Sequence, residues 1–231
     1  MLELNKIICW DCLELMKQIP DKSIDLVLTD PPYLVNTSWS KNSTVWWMLK
    51  SDAFRKWKVF DNNSIDISER LPEIYRIMKD TAHWYIMCNN KNLSNYLIKI
   101  SSQWFNIFKT LIWAKNSCIC NQFYMDSHEY IIFFRKWWAK QINNMGTRSV
   151  LNIDNPRNKC HPTEKPVELM KILIENSTKE WELVFDPFMG WGSTALACQK
   201  SKRDFIWCEI SEEYVDIANK RLETTTPSLF T

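Results

Sequence analysis

Asp30-Pro31-Pro32-Tyr33 follows six residues, Ile24–Thr29 (IDLVLT), that read as a buried strand apart from Asp25 near its start. In open parallel sheets ligands bind beyond the carboxyl ends of strands, which puts this tetrapeptide at a site position. Two successive prolines fix φ and bring no N–H of their own, so rigid carbonyl acceptors stand beside a carboxylate and a ring. The Asp30 side chain and a proline carbonyl can accept hydrogen bonds from an exocyclic amino group while Tyr33 stacks on its plane. That chemistry suits a planar, amino-bearing substrate. The competing reading is a Pro-Pro turn that only ends a strand.

A second stretch, Val184-Phe185-Asp186-Pro187-Phe188-Met189-Gly190-Trp191-Gly192-Ser193, reads as a strand, a glycine turn and a helix start. Glycines there let the backbone approach a ligand, and the helix N-terminus offers free N–H groups to a carboxylate or phosphate. Phe205–Glu209 then reads as a strand ending in an acid about twenty residues further on, the spacing at which a carboxylate takes the ribose hydroxyls of an adenosine-containing cofactor. The pattern does not separate a dinucleotide from S-adenosylmethionine.

The elements that must position these groups alternate between strand and helix, the pattern of an α/β fold with a mostly parallel, doubly wound sheet. Strands are expected at Asn5–Cys9, Ile24–Thr29, His83–Cys88, Phe105–Trp113, Glu129–Phe134, Glu182–Asp186 and Phe205–Glu209. Helices are expected after Cys9 up to Pro20, then over Ile65–Lys79, Asn92–Gln103, Pro166–Asn176, Ser193–Lys200 and Glu212–Leu222. Phe105–Trp113 and Glu129–Phe134 form a hairpin with an antiparallel strand at one edge of the sheet. One domain over residues 1–222 results, with short insertions near 34–60, 114–128 and 135–160 and a flexible tail over 223–231.

The chain has 231 residues, 45% apolar, with a net charge of +2. That is ample for one core and too weakly charged to declare nucleic-acid binding by itself. The charge is uneven, however. Residues 36–60 hold five basic side chains against Asp52, and residues 135–160 hold six against Asp154. These are either solvated loops or surfaces for a phosphate backbone. No apolar run is long enough for a membrane span and no secretory leader opens the chain, so the protein is expected in the cytoplasm. The eight cysteines read as reduced core residues, and the single Cys9-Trp10-Asp11-Cys12 lacks a second CxxC or paired histidines at metal-ligand spacing.

Taken together, the motifs resemble the S-adenosylmethionine-dependent DNA amino-methyltransferases, which methylate exocyclic nitrogens of adenine or cytosine. The match is to the permuted group in which the catalytic motif precedes the cofactor motif. Asp30-Pro31-Pro32-Tyr33 matches DPPY, and Phe188-Met189-Gly190-Trp191-Gly192 matches FxGxG. His161-Pro162-Thr163-Glu164-Lys165-Pro166 matches the family's HPTEKP-like segment, and Trp10-Asp11 falls where the family has Gly-Asp. The four matches span residues 5–222.

The resemblance implies a Rossmann-like methyltransferase fold and a set of roles. Asp30, Pro31 and Pro32 would hold the target amine, with Tyr33 stacked on a flipped base. Asp186, Phe188, Gly190 and Gly192 would line the methionine end of S-adenosylmethionine, with Lys165 near its carboxylate. Glu209 would take the ribose hydroxyls and Asp11 the adenine amino group. The insertions would contact duplex DNA, and a second copy of the chain and a cognate restriction endonuclease are further candidate partners. An aspartate opening the tetrapeptide leans towards adenine-N6, where serine leans towards cytosine-N4. Cytosine-N4 transfer, RNA or protein-amide methylation and an inactive DNA-binding relative are the alternatives.

Composition adds an anomaly. Average usage of about 7% predicts roughly 16 glycines, and the chain has 3, beside 13 tryptophans. Trp113, in Ile112-Trp113-Ala114-Lys115, sits where the family often has tryptophan. The others are Trp10, Trp39, Trp46, Trp47, Trp57, Trp84, Trp104, Trp137, Trp138, Trp181, Trp191 and Trp207, and most fall in turns or at strand starts. The reading is that these twelve are UGA codons for glycine written as tryptophan. A naturally Trp-rich protein is the alternative.

Overall fold

The computed structural model describes residues 3–32, 66–119, 124–136, 138, 140–156 and 164–225. The chain divides into two units, and the sheet and its helices belong to the one formed by Met1–Pro31 and Ile67–Thr231. The second, Pro32–Asp66, is described only at its two ends.

Eight strands form one sheet. They are β1 (Lys6–Cys9), β2 (Ile24–Thr29), β3 (Met78–Cys88), β4 (Asn106–Ile119), β5 (Asp126–Arg135), β6 (Val150–Asn152), β7 (Leu183–Asp186) and β8 (Asp204–Glu209), in the order β1-β8-β7-β2-β3-β5-β4-β6. Only β5 runs against its neighbours. The hairpin is therefore interior, with β6 outside it as the edge strand.

Among the described residues six helices cover the two faces: α1 (Cys12–Gln18), α2 (Leu71–Ile77), α3 (Asn90–Ser101), α4 (Val167–Ser177), α5 (Ser193–Lys200) and α6 (Glu212–Thr225). Alternation along the strands splits the core accordingly. Leu26, Leu28, Tyr85 and Met87 pack with α4, α5 and α6, whereas Val27, Trp84 and Ile86 pack with α1, α2 and α3. A strand buried on both faces must be apolar at every position, which is why IDLVLT reads as a continuous run. Its one charge, Asp25, is paired with Lys79 at 2.7 Å and accepts from the Leu183 amide at 3.1 Å.

Several boundaries differ from expectation. Over the predicted helix Ile65–Lys79 there is instead a 3-10 turn at Ile67–Glu69 and the shorter α2, and β3 begins at Met78. The apolar residues of Met78–Cys88 satisfy a helical period at one end and a buried strand at the other, and pairing with β2 and β5 decides for the strand. Residues 114–119 and 126–128, expected as part of an insertion, continue the β4–β5 ladder. The three-residue β6, too short for a periodic signal, lies within the expected 135–160 insertion. Glu223–Thr225 extend α6 rather than opening a tail.

Candidate active site

Four carboxylates stand at the carboxyl ends of four neighbouring parallel strands. Asp11 follows β1, Glu209 ends β8, Asp186 ends β7 and Asp30 follows β2. Cys9 is in register with Glu209, so Asp11 lies just beyond it on the adjacent strand. The parallel topology thus places residues from opposite ends of the chain along one edge of the sheet.

Asp30 is held from the α4 side. Its Oδ2 accepts from Lys165 Nζ at 2.5 Å, and its Oδ1 is buried with no hydrogen-bond partner among the described residues. Burial pushes the Asp30 carboxyl up, against the pull of the Lys165 ammonium. Lys165 also lies 3.5 Å from Glu129 Oε2, and Glu129 in turn bonds Lys115. The result is an alternating chain, Lys115, Glu129, Lys165, Asp30. Burial would raise the Glu129 carboxyl, but the two ammonium groups outweigh it and hold it below its ordinary range. The Lys115 ammonium lies 4.6 Å from the centre of the Trp113 ring, which packs in the core.

Glu129 and Lys115 belong to none of the sequence motifs. Their signal is present but weak: Lys115 follows Trp113 by two, the same-face spacing of a strand, and Glu129 opens an apolar strand. Their meeting depends on the register Trp113 with Glu129.

The glycine turn is built around Glu209 and Asp186. Glu209 Oε2 accepts from the Gly190 amide at 3.0 Å, and Oε1 accepts from Ile210 at 3.0 Å and Ser211 at 3.2 Å. Burial raises its carboxyl nonetheless. Asp186 accepts from the Phe188 amide at 3.0 Å and the Thr194 hydroxyl at 2.9 Å, and burial pushes it up to about 7. Phe188 packs partly buried against the α1–α3 side of the core.

Gly190 and Gly192 both adopt positive φ, +55° and +77°. A Cβ on Gly192 would meet that of Ala218 at 3.1 Å, whereas one on Gly190 would face open space. Between them Trp191 tilts against Tyr214, with ring centres 5.3 Å apart, and its carbonyl accepts from Arg221 at 2.5 Å. Arg221 also reaches Glu164 at 2.5 Å. Asp11 caps α1, accepting from the Leu13 amide at 2.9 Å and that of Glu14 at 3.3 Å, beside an exposed Trp10.

The structure brings together Asp30, Lys165 and Glu129 on one side and Asp186, Glu209 and the glycines on the other. It puts Lys165 on Asp30, where the resemblance put it beside a cofactor carboxylate. Pro31 is buried and Pro32 partly so. Tyr33, residues 34–60 and His161-Pro162-Thr163 lie outside the described residues. Within 135–160, Lys136 is buried and donates to the Met78 carbonyl at 2.6 Å, so it is no part of a phosphate-binding surface. No helix among the described residues is long and apolar enough to cross a membrane.

The sequence matches the DNA methylase family over residues 24–220. It is 28% identical to type II methyltransferase M.HinfI of Haemophilus influenzae over 97% of this chain and 70% of that protein. It is likewise 28% identical to type II methyltransferase M.HpaI of Haemophilus parainfluenzae, over 95% of this chain and 74% of that one. Among solved structures, the fold resembles the M1.HpyAVI–SAM complex, with a TM-score of 0.70 at 23% identity, covering 94% of this chain and 98% of that one. It also resembles the cytosine-N4-specific PvuII DNA methyltransferase, with a TM-score of 0.72 at 19% identity, covering 97% and 87%. With the family match spanning most of the chain and the strand order placing its motifs along one sheet edge, this chain belongs to the N6/N4 DNA methylase family of DNA amino-methyltransferases.

Proposed function

We propose that this protein transfers a methyl group from S-adenosylmethionine to the exocyclic N6 of adenine in duplex DNA. The observation that carries the reading is Asp30 Oδ1, a buried acceptor without a partner among the described residues, at the carboxyl end of β2. A buried, unsatisfied carboxylate oxygen is costly unless a donor arrives, and an aryl amine supplies one.

The residues present fit the cofactor. Gly190 leaves open space where a side chain would stand, and Glu209 and Asp11 lie on neighbouring strand ends beside it. Glu209 would take the ribose hydroxyls, Asp11 the adenine amine, and the turn from Asp186 to Gly192, with Phe188, the methionine end. When bound, S-adenosylmethionine supplies a methyl group on a sulfonium leaving group.

The protein's task is alignment and exclusion of water. The amine lone pair is delocalised into the base, so hydrogen bonds to Asp30 and a proline carbonyl favour the rehybridised, increasingly positive nitrogen. Lys165 fixes Oδ2, which leaves Oδ1 to orient the amine. Tyr33 would stack on the base, which must leave the duplex at a cost of about a few kcal/mol. Residues 34–60, with Arg157 and Lys159 of the 135–160 stretch, would meet the backbone. The type II relatives support a restriction-system context with a cognate endonuclease, and a homodimer and cytoplasmic site of action complete the reading.

Cytosine-N4 transfer is the second reading, favoured by the PvuII neighbour; the aspartate at position 30 weighs against it. The test is transfer of labelled methyl to DNA followed by base analysis of the hydrolysate, with label on adenine expected. Asp30→Ala is expected to cut transfer at least about a hundredfold, the scale of losing one preorganised electrostatic contact, while S-adenosylmethionine binding persists. Full activity of that variant would overturn the assignment.

A further inference from the structure

A cavity of about 480 Å³ lies on the sheet face covered by α4. Tyr85, Phe133, Leu111 and Leu151 give it an apolar floor. Among the described residues four cations line it, Lys109, Arg135, Lys140 and Arg148, and no aspartate or glutamate does. Lys140 is neutralised by Glu182 at 3.0 Å. The other three have no carboxylate partner among the described residues. Arg135 lies 5.1 Å from the Phe108 ring centre, and its Nε is buried without an acceptor among the described residues.

The walls are fixed rather than improvised. Asn143 donates to the carbonyls of Glu175 at 2.6 Å and Thr178 at 2.8 Å, and Asn176 accepts from the Asn144 amide at 3.2 Å. His83 lies between Ser177 Oγ at 2.8 Å and the Lys140 carbonyl at 2.7 Å. Burial depresses its imidazole to about 4, so at neutral pH it leaves the local charge unchanged. His83 and Tyr85 are in register with Leu26 and Leu28, four and two residues before Asp30, so the cavity lies against the sheet face rather than at the strand ends. None of the described lining residues belongs to the carboxylates and glycines of the transfer site.

We infer that this cavity is a second binding site, for a small phosphate monoester with a planar apolar body. The volume lies within the range of small-molecule sites, and the apolar floor with a few converging polar groups is their usual form. Two guanidinium forks and an ammonium without carboxylates match a phosphate, and the Arg135 Nε gains the acceptor it lacks. A concave site of this size admits one small molecule and not a duplex.

The test is calorimetric titration of the full chain with phenyl phosphate, beside inorganic phosphate and phenol as the two halves of the probe. One-to-one binding of phenyl phosphate at least tenfold tighter than either half is expected, unaffected by S-adenosylmethionine. The double variant Lys109→Gln/Arg148→Gln, both exposed positions, should weaken it at least tenfold with an unchanged thermal midpoint; Arg135→Gln should do the same. Equal affinity for phosphate and phenyl phosphate, indifference to all three substitutions, or displacement by a short duplex oligonucleotide would each overturn the proposal. Displacement by the duplex would instead give these cations to the DNA backbone.

Discussion

At the scale of single residues, the centre of the site is an alternation of charge. In the role proposed for it, Asp30 needs one oxygen held and the other left available, and Lys165, itself 3.5 Å from Glu129, holds Oδ2. Lys115 and Lys165 are both largely buried, so removing the carboxylate between them leaves two ammonium groups short of a counter-charge. Glu129→Gln is therefore expected to destabilise the protein by about 3 kcal/mol, the scale for breaking a buried ion pair, as read from urea unfolding. It should also lower kcat more than KM for DNA, since the carboxylate proposed to hold the amine loses its brace. The same scale exposes the cost of buried indoles. Trp113 Nε1 donates to the Ile153 carbonyl at 2.8 Å, whereas the indole N–H groups of Trp84 and Trp207, equally buried, have no partner among the described residues.

At the scale of elements, turns decide. Trp181 lies in the turn before β7 with φ +66°, 69% exposed, its amide donating to the Lys202 carbonyl at 2.7 Å. That region costs a large L-residue about 1–2 kcal/mol and glycine nothing. Trp181→Gly is expected to raise unfolding free energy by about 1 kcal/mol, after the greater entropy of an unfolded glycine is offset. Trp113→Gly, at a core strand position with a satisfied indole, should instead cost about 3–5 kcal/mol. Thermal melts of the two variants should move in opposite directions. Most of the twelve tryptophans are expected in turns or at strand starts; Trp84 and Trp207 lie inside strands of the core.

At the scale of the whole molecule, the sheet edge concentrates buried carboxylates, and stability should register it through pH. Asp186 is raised from 3.8 to about 7, so between those values the folded protein binds a proton that the unfolded chain has released. Its contribution to stability is full below 3.8 and is lost as pH rises through about 7. His83, lowered from 6.5 to about 4, slopes the other way as pH falls. Comparison with Asp186→Asn isolates the first effect: the unfolding free energy of the variant should decline less between pH 4 and 7. The composition belongs to this scale too. The gene is expected to carry UGG at Trp113 and UGA at the twelve other tryptophans; UGG at Trp181 or Trp191 would dismiss the glycine reading.

The residues by themselves determined the local chemistry and its order along the chain. A doubly buried strand must be apolar throughout, a Pro-Pro pair must stiffen the backbone at its end, and a positive-φ turn favours glycine, so Ile24–Thr29, the tetrapeptide and the Gly190–Gly192 turn were all legible. Tertiary structure alone decided which charges meet. Lys165 stands 135 residues from Asp30, and Glu129 reaches Lys165 only through the register of an antiparallel ladder. Period and spacing describe neighbours along a strand or helix, whereas a buried ion pair is set by strand order and by the packing of a helix on the sheet, and neither leaves a local pattern.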